Sequence, residues 1–94
     1  MRRANWNREK DATLEAEYGF GFERILTALA EGSLLDDRTH PNVEKYGHQR
    51  QLVVEIESYA WVVPYVEDGE EIFLKTFFPG RKATKEYLGR ADEK

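Results

Sequence analysis

The sequence predicts an α+β domain in which two N-terminal helices pack on one face of a three- to four-stranded antiparallel sheet, with a short helix at the C-terminus. Two helix-type patterns come first, and alternating strand-type patterns follow without a repeat or a linker between them. Chains that separate helices from strands in this way form α+β layers. The 94 residues suffice for one hydrophobic core, so a single domain over residues 1–94 is expected.

The two helices are predicted from their ends and from their apolar spacing. Asn7 is a favoured N-cap residue for a helix over residues 8–18, and Gly19 suits the position after its last turn. The second helix ends at Gly32. Its apolar residues recur at the i, i+3, i+4 and i+7 spacing of a buried helical face, and they are Phe22, Ile25, Leu26 and Leu29.

A polar segment separates the helices from the predicted sheet. Leu34 and Leu35 can begin an edge strand, and residues 39–42 have the composition of a loop. The following run, HPNVEKYGHQR, gathers histidine, lysine, tyrosine and arginine side chains. Long polar loops in small domains often carry function, although ordinary surface loops are polar as well. Both interpretations stay open at this point.

Three strands are predicted around residues 52–56, 60–66 and 71–77. Pro64 lies inside the second strand, which implies a bulge or a position where no backbone donor is needed. In the third strand Ile72 and Leu74 share the face expected to cover the helices, so Lys75 is expected on the open face. Lys75 can also simply lie over neighbouring aromatic rings. Residues 83–88 are expected to form the closing helix.

Composition excludes several protein classes. Hydrophobic residues make up 40% and charged residues 34%, which is typical of a folded protein. No apolar run approaches the roughly 20 residues that cross a membrane, and the start MRRANWNREK lacks the apolar stretch of a signal peptide. The sequence has no cysteine, which excludes a disulfide framework and a thiol nucleophile. A cytoplasmic protein without membrane contact is therefore expected.

Charge is distributed unevenly along the chain. The formal net charge is −4, whereas nucleic-acid-binding domains are usually basic. Residues 11–37 and 51–74 each carry a net charge of −6, whereas residues 1–10, 38–50 and 75–90 carry +3, +2 and +4. The basic segments can converge on one anionic partner, or they can belong to a solvated surface of mixed sign.

The residue types narrow the possible chemistry. There is no Gly-rich phosphate loop, and His40 and His48 lie too far apart for a metal-binding motif. No metal ligand set and no cofactor are therefore predicted. The remaining Arg, Lys, Tyr and His residues can cleave RNA without a metal, because the 2′-hydroxyl of RNA is itself the nucleophile. The protein then needs only to transfer protons and to stabilise the charge of the transition state. These residue types permit RNA cleavage, but most proteins contain them, so they do not identify the protein as a ribonuclease.

Three stretches resemble the BrnT toxin family of bacterial type II toxin–antitoxin systems, which are relatives of the RelE-type ribonucleases. NWNREKDATLEAEYGFGFE is similar to the family opening W-D-x-x-K … N-x-x-K-H-G-[VI]-S-F-E, and FLKTFFPGRKAT is similar to I-R-I-I-S-A-R-K-A-T. The third stretch, YAWVVPYVEDGEEIFLKT, resembles a close subgroup whose members are generally labelled only as toxins or as uncharacterised proteins. The resemblance runs from Trp6 to Leu88. The matching residues are Trp6, Lys10, Gly19, Phe22, Glu23, Arg81, Lys82, Ala83 and Thr84.

The resemblance implies a RelE/BrnT-like fold and a metal-independent endoribonuclease that cleaves mRNA. It implies a cognate antitoxin with a ribbon-helix-helix DNA-binding domain, so that operator DNA is contacted only through the antitoxin. In this interpretation Arg81 stabilises the phosphate in the transition state. Lys10 and Lys82 contact the RNA backbone, and His40 or Tyr18 transfers a proton.

The chain departs from the family pattern at three places. Glu17-Tyr18-Gly19 replaces K-H-G, and Thr76 stands where the family has the first arginine of its strand. Pro79 replaces the serine that precedes Ala-Arg in the family. A different catalytic set is then possible, drawn from His40, Lys45, Tyr46 and Lys75, with Lys45 and Lys75 as RNA-binding residues. Two alternatives remain: a non-catalytic interaction protein or degenerate toxin that binds a protein partner, and a ParE-like toxin that acts on gyrase.

Overall fold

The structure, a computed structural model, describes residues 3–89 except for the side chain of Tyr46. It has the predicted α+β class. No helix in this range is long and apolar enough to cross a membrane. The elements in chain order are β1 (Arg3–Trp6), α1 (Arg8–Tyr18), α2 (Phe22–Ala30), β2 (Leu34–Thr39), α3 (Val43–Tyr46), β3 (Gln49–Ile56), β4 (Tyr59–Asp68), β5 (Glu71–Leu74), β6 (Phe78–Pro79), α4 (Arg81–Ala83) and a π-helical turn (Thr84–Leu88) that continues α4.

The sheet is mixed and has six strands within residues 3–89. Its order is β1-β5-β4-β3-β2, and β6 pairs with β4 after β5 has ended. β3, β4 and β5 form the predicted antiparallel meander, whereas β1 is parallel to β5. The prediction of three to four antiparallel strands is therefore incomplete. The four residues of β1 are too few for their alternation to be recognised as a strand in sequence.

The first helix, α1, begins and ends where its capping residues predict. The side chain of Asn7 accepts a hydrogen bond from the backbone N–H of Lys10 at 2.9 Å, and Gly19 follows α1 with a φ of +89°. The first turn of α2 is capped from α1, because the backbone N–H of Phe22 donates to Asp11 Oδ1 at 2.7 Å. This bond satisfies one of the free donors of α2 and fixes the two helices relative to each other.

The larger hydrophobic cluster joins α1 and α2 to one face of the sheet, here called the helix-side face. Leu26 and Leu29 are only partly buried against it, and Ala28 is buried in their place. Phe77 also belongs to this cluster, although strict alternation places it with Lys75 on the opposite face. The alternation fails because β5 ends at Leu74. The buried members are Leu14, Phe22, Ile25, Ala28, Leu52, Val54, Ile56, Val63, Tyr65, Ile72, Leu74 and Phe77.

A smaller cluster lies on the opposite face and packs against α4 and the π-helical turn that continues it. These two elements together are called the C-terminal helix. Its buried residues are Val53, Ala60, Val62 and Ala83, and the partly buried Tyr87 packs against them. Ala83 and Tyr87 therefore share one helical face, as their spacing predicts. The sheet thus separates this helix from α1 and α2.

Pro64 remains inside β4 without a bulge in the pairing with β3. Its carbonyl accepts a hydrogen bond from the backbone N–H of Lys75 at 2.8 Å, at the point where β5 has just ended. A proline has no N–H to donate, and here the neighbouring strand is interrupted. The break between β5 and β6 accommodates the proline and also turns the chain toward the C-terminal helix.

Candidate functional site

A groove lies on the sheet face that carries the C-terminal helix, and we call it the basic groove. It consists of two adjoining cavities of about 390 Å³ and 320 Å³. Arg38, Arg81 and Lys82 supply positive charge, and Glu86 is the one carboxylate among the described residues that line it. The complete lining is Arg38, Thr39, Pro41, Gln51, Val62, Phe78, Pro79, Gly80, Arg81, Lys82, Ala83 and Glu86.

Three hydrogen bonds fix the start of the C-terminal helix, and two of them join it to β4. The backbone N–H of Gly80 donates to the carbonyl of Ala60 at 2.8 Å, and the N–H of Ala60 donates to the hydroxyl oxygen of Thr84 at 2.9 Å. Thr84 in turn donates to the carbonyl of Gly80 at 2.7 Å. These bonds fix the backbone on both sides of Arg81 and Lys82, whose side chains are exposed at the groove.

The opposite wall of the groove is formed by β2 and β3. Arg38 and Gln51 are directly opposite each other in the β2–β3 ladder. Arg38 Nε donates to Gln51 Oε1 at 3.0 Å, and Gln51 is only 5% exposed. The buried amide therefore orients the guanidinium toward the groove. Arg38 Nη1 lies 3.8 Å from Glu86 Oε1, and the guanidinium carbon is 6.0 Å from the centre of the Tyr87 ring.

The end of the C-terminal helix is joined to β2 by Tyr87 and Asp36. The Tyr87 hydroxyl donates to Asp36 Oδ2, and Asp36 Oδ1 accepts from the backbone N–H of Asp37 at 2.8 Å. The hydrogen bond from Tyr87 is the largest cause that lowers the pKa of Asp36, and the same bond raises the pKa of Tyr87. The helix is thus held at its start by β4 and at its end by β2, with the basic groove between them.

A second polar cluster lies on the helix-side face and engages the nearby Arg50. The hydroxyl of the buried Tyr65 donates to Asp37 Oδ1 at 2.7 Å, and Arg50 Nε donates to the same oxygen at 3.1 Å. Arg50 Nη2 also donates to the backbone carbonyl of Asp37 at 2.9 Å. Burial raises the pKa of Tyr65, and the hydrogen bond with Tyr65 raises the pKa of Arg50. These contacts make Arg50 a structural cation.

Two of the residues selected from sequence meet in the groove. Arg81 lines one of its cavities, and Lys82 lines both. They follow Gly80, and an added Cβ at Gly80 would lie 2.8 Å from Val62 Cγ2. Glycine therefore allows the backbone to approach β4 closely at this point. The close approach brings this segment against β4, and both cations line the groove there.

The loop candidates lie beside the groove. Thr39 and Pro41 line it, whereas His40 between them is not among its lining residues. His40 Nδ1 accepts a hydrogen bond from the backbone N–H of Asn42 at 3.0 Å, which occupies that ring nitrogen. Lys45 is exposed on α3, where its backbone N–H donates to Asn42 Oδ1 at 3.2 Å. The short helix places Lys45 in the same loop region as His40.

Lys75 is exposed, and its Nζ lies 5.7 Å from the centre of the Phe73 ring. It follows β5, and β4 and β3 separate β5 from β2, which carries Arg38. At about 4.8 Å per strand, Lys75 and Arg38 are roughly 14 Å apart across the sheet. Lys75 is not among the residues that line the groove.

Tyr18 and Lys10 lie on α1, in the other layer of the molecule. Tyr18 packs between Trp61 and Phe77, with ring centres 5.1 Å and 5.8 Å away. Burial, followed by the charge of Glu17, raises the pKa of Tyr18. Lys10 is exposed in the first turn of α1. Because the sheet lies between α1 and the groove, the structure does not bring Tyr18 or Lys10 to the same site as Arg81.

Arg38, Gln51 and Glu86 are the groove residues that the sequence prediction missed. Arg38 directly follows Asp36 and Asp37, and Gln51 is the third residue of β3. Their proximity depends on the β2–β3 register, which extends the predicted edge strand to Thr39. The described residues contain no group of three or more acidic or histidine side chains that could hold a metal ion.

The chain matches no protein-family model, and no curated protein or solved structure matches it.

Proposed function

We propose that this chain is a metal-independent endoribonuclease toxin similar to the BrnT family, and that RNA binds in the basic groove. The observation that carries the proposal is the convergence of Arg38 from β2 with Arg81 and Lys82 from the C-terminal helix. These cations come from sequence segments more than forty positions apart, and the fold brings them to one cavity. Paired arginines and lysines are the usual ligands of phosphate.

The arrangement suits transition-state stabilisation better than simple surface attraction. Gln51 holds the Arg38 guanidinium, and Thr84 holds the helix that carries Arg81. Preorganised donors stabilise developing charge without first having to reorient. Arg81 and Arg38 are therefore assigned to the charge on the phosphorane-like transition state, and Lys82 to the RNA backbone. Lys75 and Lys45 do not line the groove, and they are assigned to contacts with flanking nucleotides.

The element order supports the finer assignment of the fold to the RelE/BrnT type. Two helices precede an antiparallel meander and pack against one of its faces, and the basic run follows the last strands. In this proposal β1 and β6 extend the three- to four-stranded antiparallel sheet at its margins. The RKAT run then serves both to anchor the helix and to contact RNA.

The proposed partner is a cognate antitoxin with a ribbon-helix-helix DNA-binding domain. In the complex only the antitoxin contacts operator DNA. The acidic segments 11–37 and 51–74 suit a partner with a basic toxin-binding segment. The proposed place of action is the cytoplasm, where mRNA is translated. No cofactor enters the proposed reaction.

The experiment combines cleavage of single-stranded RNA in EDTA with induced expression followed by mapping of transcript ends. Wild-type protein is expected to give fragments with 5′-hydroxyl and 2′,3′-cyclic phosphate ends. Arg38→Ala and Arg81→Ala are each expected to lower the rate by about 10²–10³-fold. Lys10→Ala is the matched control, since it removes an exposed cation from the other layer. Intact RNA with the wild-type protein would refute the proposal. If Lys10→Ala lowers the cleavage rate as much as the two arginine variants do, the RNA site does not lie in the groove.

A non-catalytic interaction protein is the second candidate. The observation that favours it is Phe78, a groove residue that is 39% exposed although it is large and apolar. Exposed aromatic side chains at a polar groove are typical of protein-binding surfaces. This candidate predicts that wild-type protein leaves RNA intact, and that Phe78→Ser weakens capture of a partner encoded by an adjacent reading frame.

A further inference from the structure

Cleavage through the 2′-hydroxyl requires a group that accepts its proton within hydrogen-bond reach. The groove cations cannot do this while they are charged. Glu86 is the one carboxylate among the described residues that line the groove, and its side chain is 57% exposed. We propose that Glu86 is the general base of the reaction, an assignment that rests on the endoribonuclease function proposed above.

The position of Glu86 relative to the cations supports this role. Its Oε1 lies 3.8 Å from Arg38 Nη1, and it lines the same cavity as Lys82. In RNA the 2′-hydroxyl and the scissile phosphate are carried by adjacent atoms of one ribose. A scissile phosphate bound by Arg38 therefore brings its 2′-hydroxyl close to Glu86, whose carboxylate lies beside that guanidinium. The 3.8 Å ion pair is longer than a hydrogen bond, so the carboxylate can exchange Arg38 for the substrate.

Other proton acceptors near the groove are occupied or distant. Asp36 accepts hydrogen bonds from the Tyr87 hydroxyl and from the backbone N–H of Asp37. His40 Nδ1 accepts from the backbone N–H of Asn42, and Tyr18 lies in the other layer among aromatic rings. Glu86 combines a place in the groove wall with an accessible carboxylate.

The reaction balances without a metal or a redox partner. The 2′-O–H bond breaks and its proton passes to the Glu86 carboxylate, while the 2′-oxygen forms a bond to phosphorus. The bond between phosphorus and the 5′-oxygen then breaks, and the leaving oxygen takes a proton from water. The products are a 2′,3′-cyclic phosphate and a 5′-hydroxyl. Glu86 returns its proton to the hydroxide that remains, which restores the carboxylate.

The competing explanation is that Glu86 only neutralises Arg38 and competes with phosphate for it. The two roles differ in what happens when the charge is removed. If Glu86 only competes with phosphate, a neutral side chain at this position leaves the cleavage rate constant unchanged and tightens RNA binding. If Glu86 is the general base, a neutral side chain lowers the cleavage rate constant, whether or not RNA binding tightens.

The test compares wild type, Glu86→Gln and Glu86→Asp in single-turnover cleavage, together with binding of the same RNA carrying a 2′-deoxy sugar at the scissile position. Glu86→Gln is expected to lower the cleavage rate constant by about 10²–10⁴-fold. The dissociation constant of the 2′-deoxy substrate is expected to stay equal or to fall. The wild-type rate is expected to rise with pH along one acid limb, and this pH limb is expected to vanish in Glu86→Gln. Glu23→Gln, an exposed carboxylate on α2, is the control.

The outcomes separate this inference from the function on which it rests. If wild-type protein cleaves RNA and Glu86→Gln retains both the rate and the pH limb, the general-base role is wrong and the ribonuclease function stands. Tighter binding with an unchanged rate identifies Glu86 as a competitor and also refutes the role. The general-base role is also refuted if Glu86→Gln cleaves more slowly, binds the 2′-deoxy RNA more weakly and keeps the rise of the rate with pH. If wild-type protein leaves RNA intact, the proposed function itself fails.

Discussion

The hydroxyl of Thr84 accepts a hydrogen bond from the backbone N–H of Ala60, and this contact joins the C-terminal helix to the centre of the sheet. Thr84 is 1% exposed, so water cannot replace the bond. Its place in the run Arg81-Lys82-Ala83-Thr84 gives that run two parts. The first two residues face the basic groove, and the last two hold them there through burial and hydrogen bonding.

Replacing the Thr84 hydroxyl by a methyl group is expected to destabilise the fold. In Thr84→Val the N–H of Ala60 stays buried and loses its acceptor, which costs about 1–3 kcal/mol of unfolding free energy. Thr84→Ser keeps the hydroxyl and is the control. Urea unfolding followed by circular dichroism measures the difference. A Thr84→Val protein as stable as Thr84→Ser would show that the hydrogen bond adds nothing.

A side chain at Gly80 is expected to strain the contact between helix and sheet. The added Cβ of Gly80→Ala would lie 2.8 Å from Val62 Cγ2, so one of the two must move. Overpacking of this kind costs about 1–3 kcal/mol. The variant Val62→Ala removes the opposing methyl group, so the double variant is expected to lose less stability than the two single variants added together. Additive losses in urea unfolding would contradict the steric explanation.

The sequence predicted local features well and long-range proximity poorly. Asn7 and Gly19 limit α1 as expected, because capping depends on neighbouring residues alone. β1 was missed, since its pairing with β5 joins residues 68 positions apart and four residues carry little alternation. Arg81 and Lys82 could be selected from their motif. Arg38 could not, because its place opposite Lys82 depends on how far β2 extends along β3.

Salt dependence is expected to distinguish groove cations from other surface cations. Each phosphate contact to a single strand contributes about −0.7 to the slope of log K against log salt concentration. Lys82→Ala is expected to reduce the magnitude of the slope by about that amount for a 2′-deoxy RNA analogue. Lys10→Ala, an exposed lysine on α1, is expected to leave the slope unchanged. Equal slopes for Lys82→Ala and wild type, measured by fluorescence anisotropy, would remove Lys82 from the interface.

The bond between Tyr87 and Asp36 is expected to make stability depend on pH at both extremes. Because folding lowers the pKa of Asp36, its contribution is present above the usual carboxyl pKa and is lost as pH falls through the lowered value. Folding raises the pKa of Tyr87, so that contribution is present below the usual tyrosine pKa of about 10 and is lost as pH rises through the raised value.

The variant Tyr87→Phe isolates this pH dependence. The difference in unfolding free energy between wild type and Tyr87→Phe is expected to be largest between about pH 5 and pH 9 and to shrink toward both extremes. Arg38 and Arg50 also favour the charged form of Asp36, so part of the acid dependence should persist in the variant. Tyr59→Phe at the start of β4 removes a hydroxyl elsewhere and is the control. If the difference between wild type and Tyr87→Phe does not change with pH across this range, the hydrogen bond does not couple the C-terminal helix to the charge of Asp36.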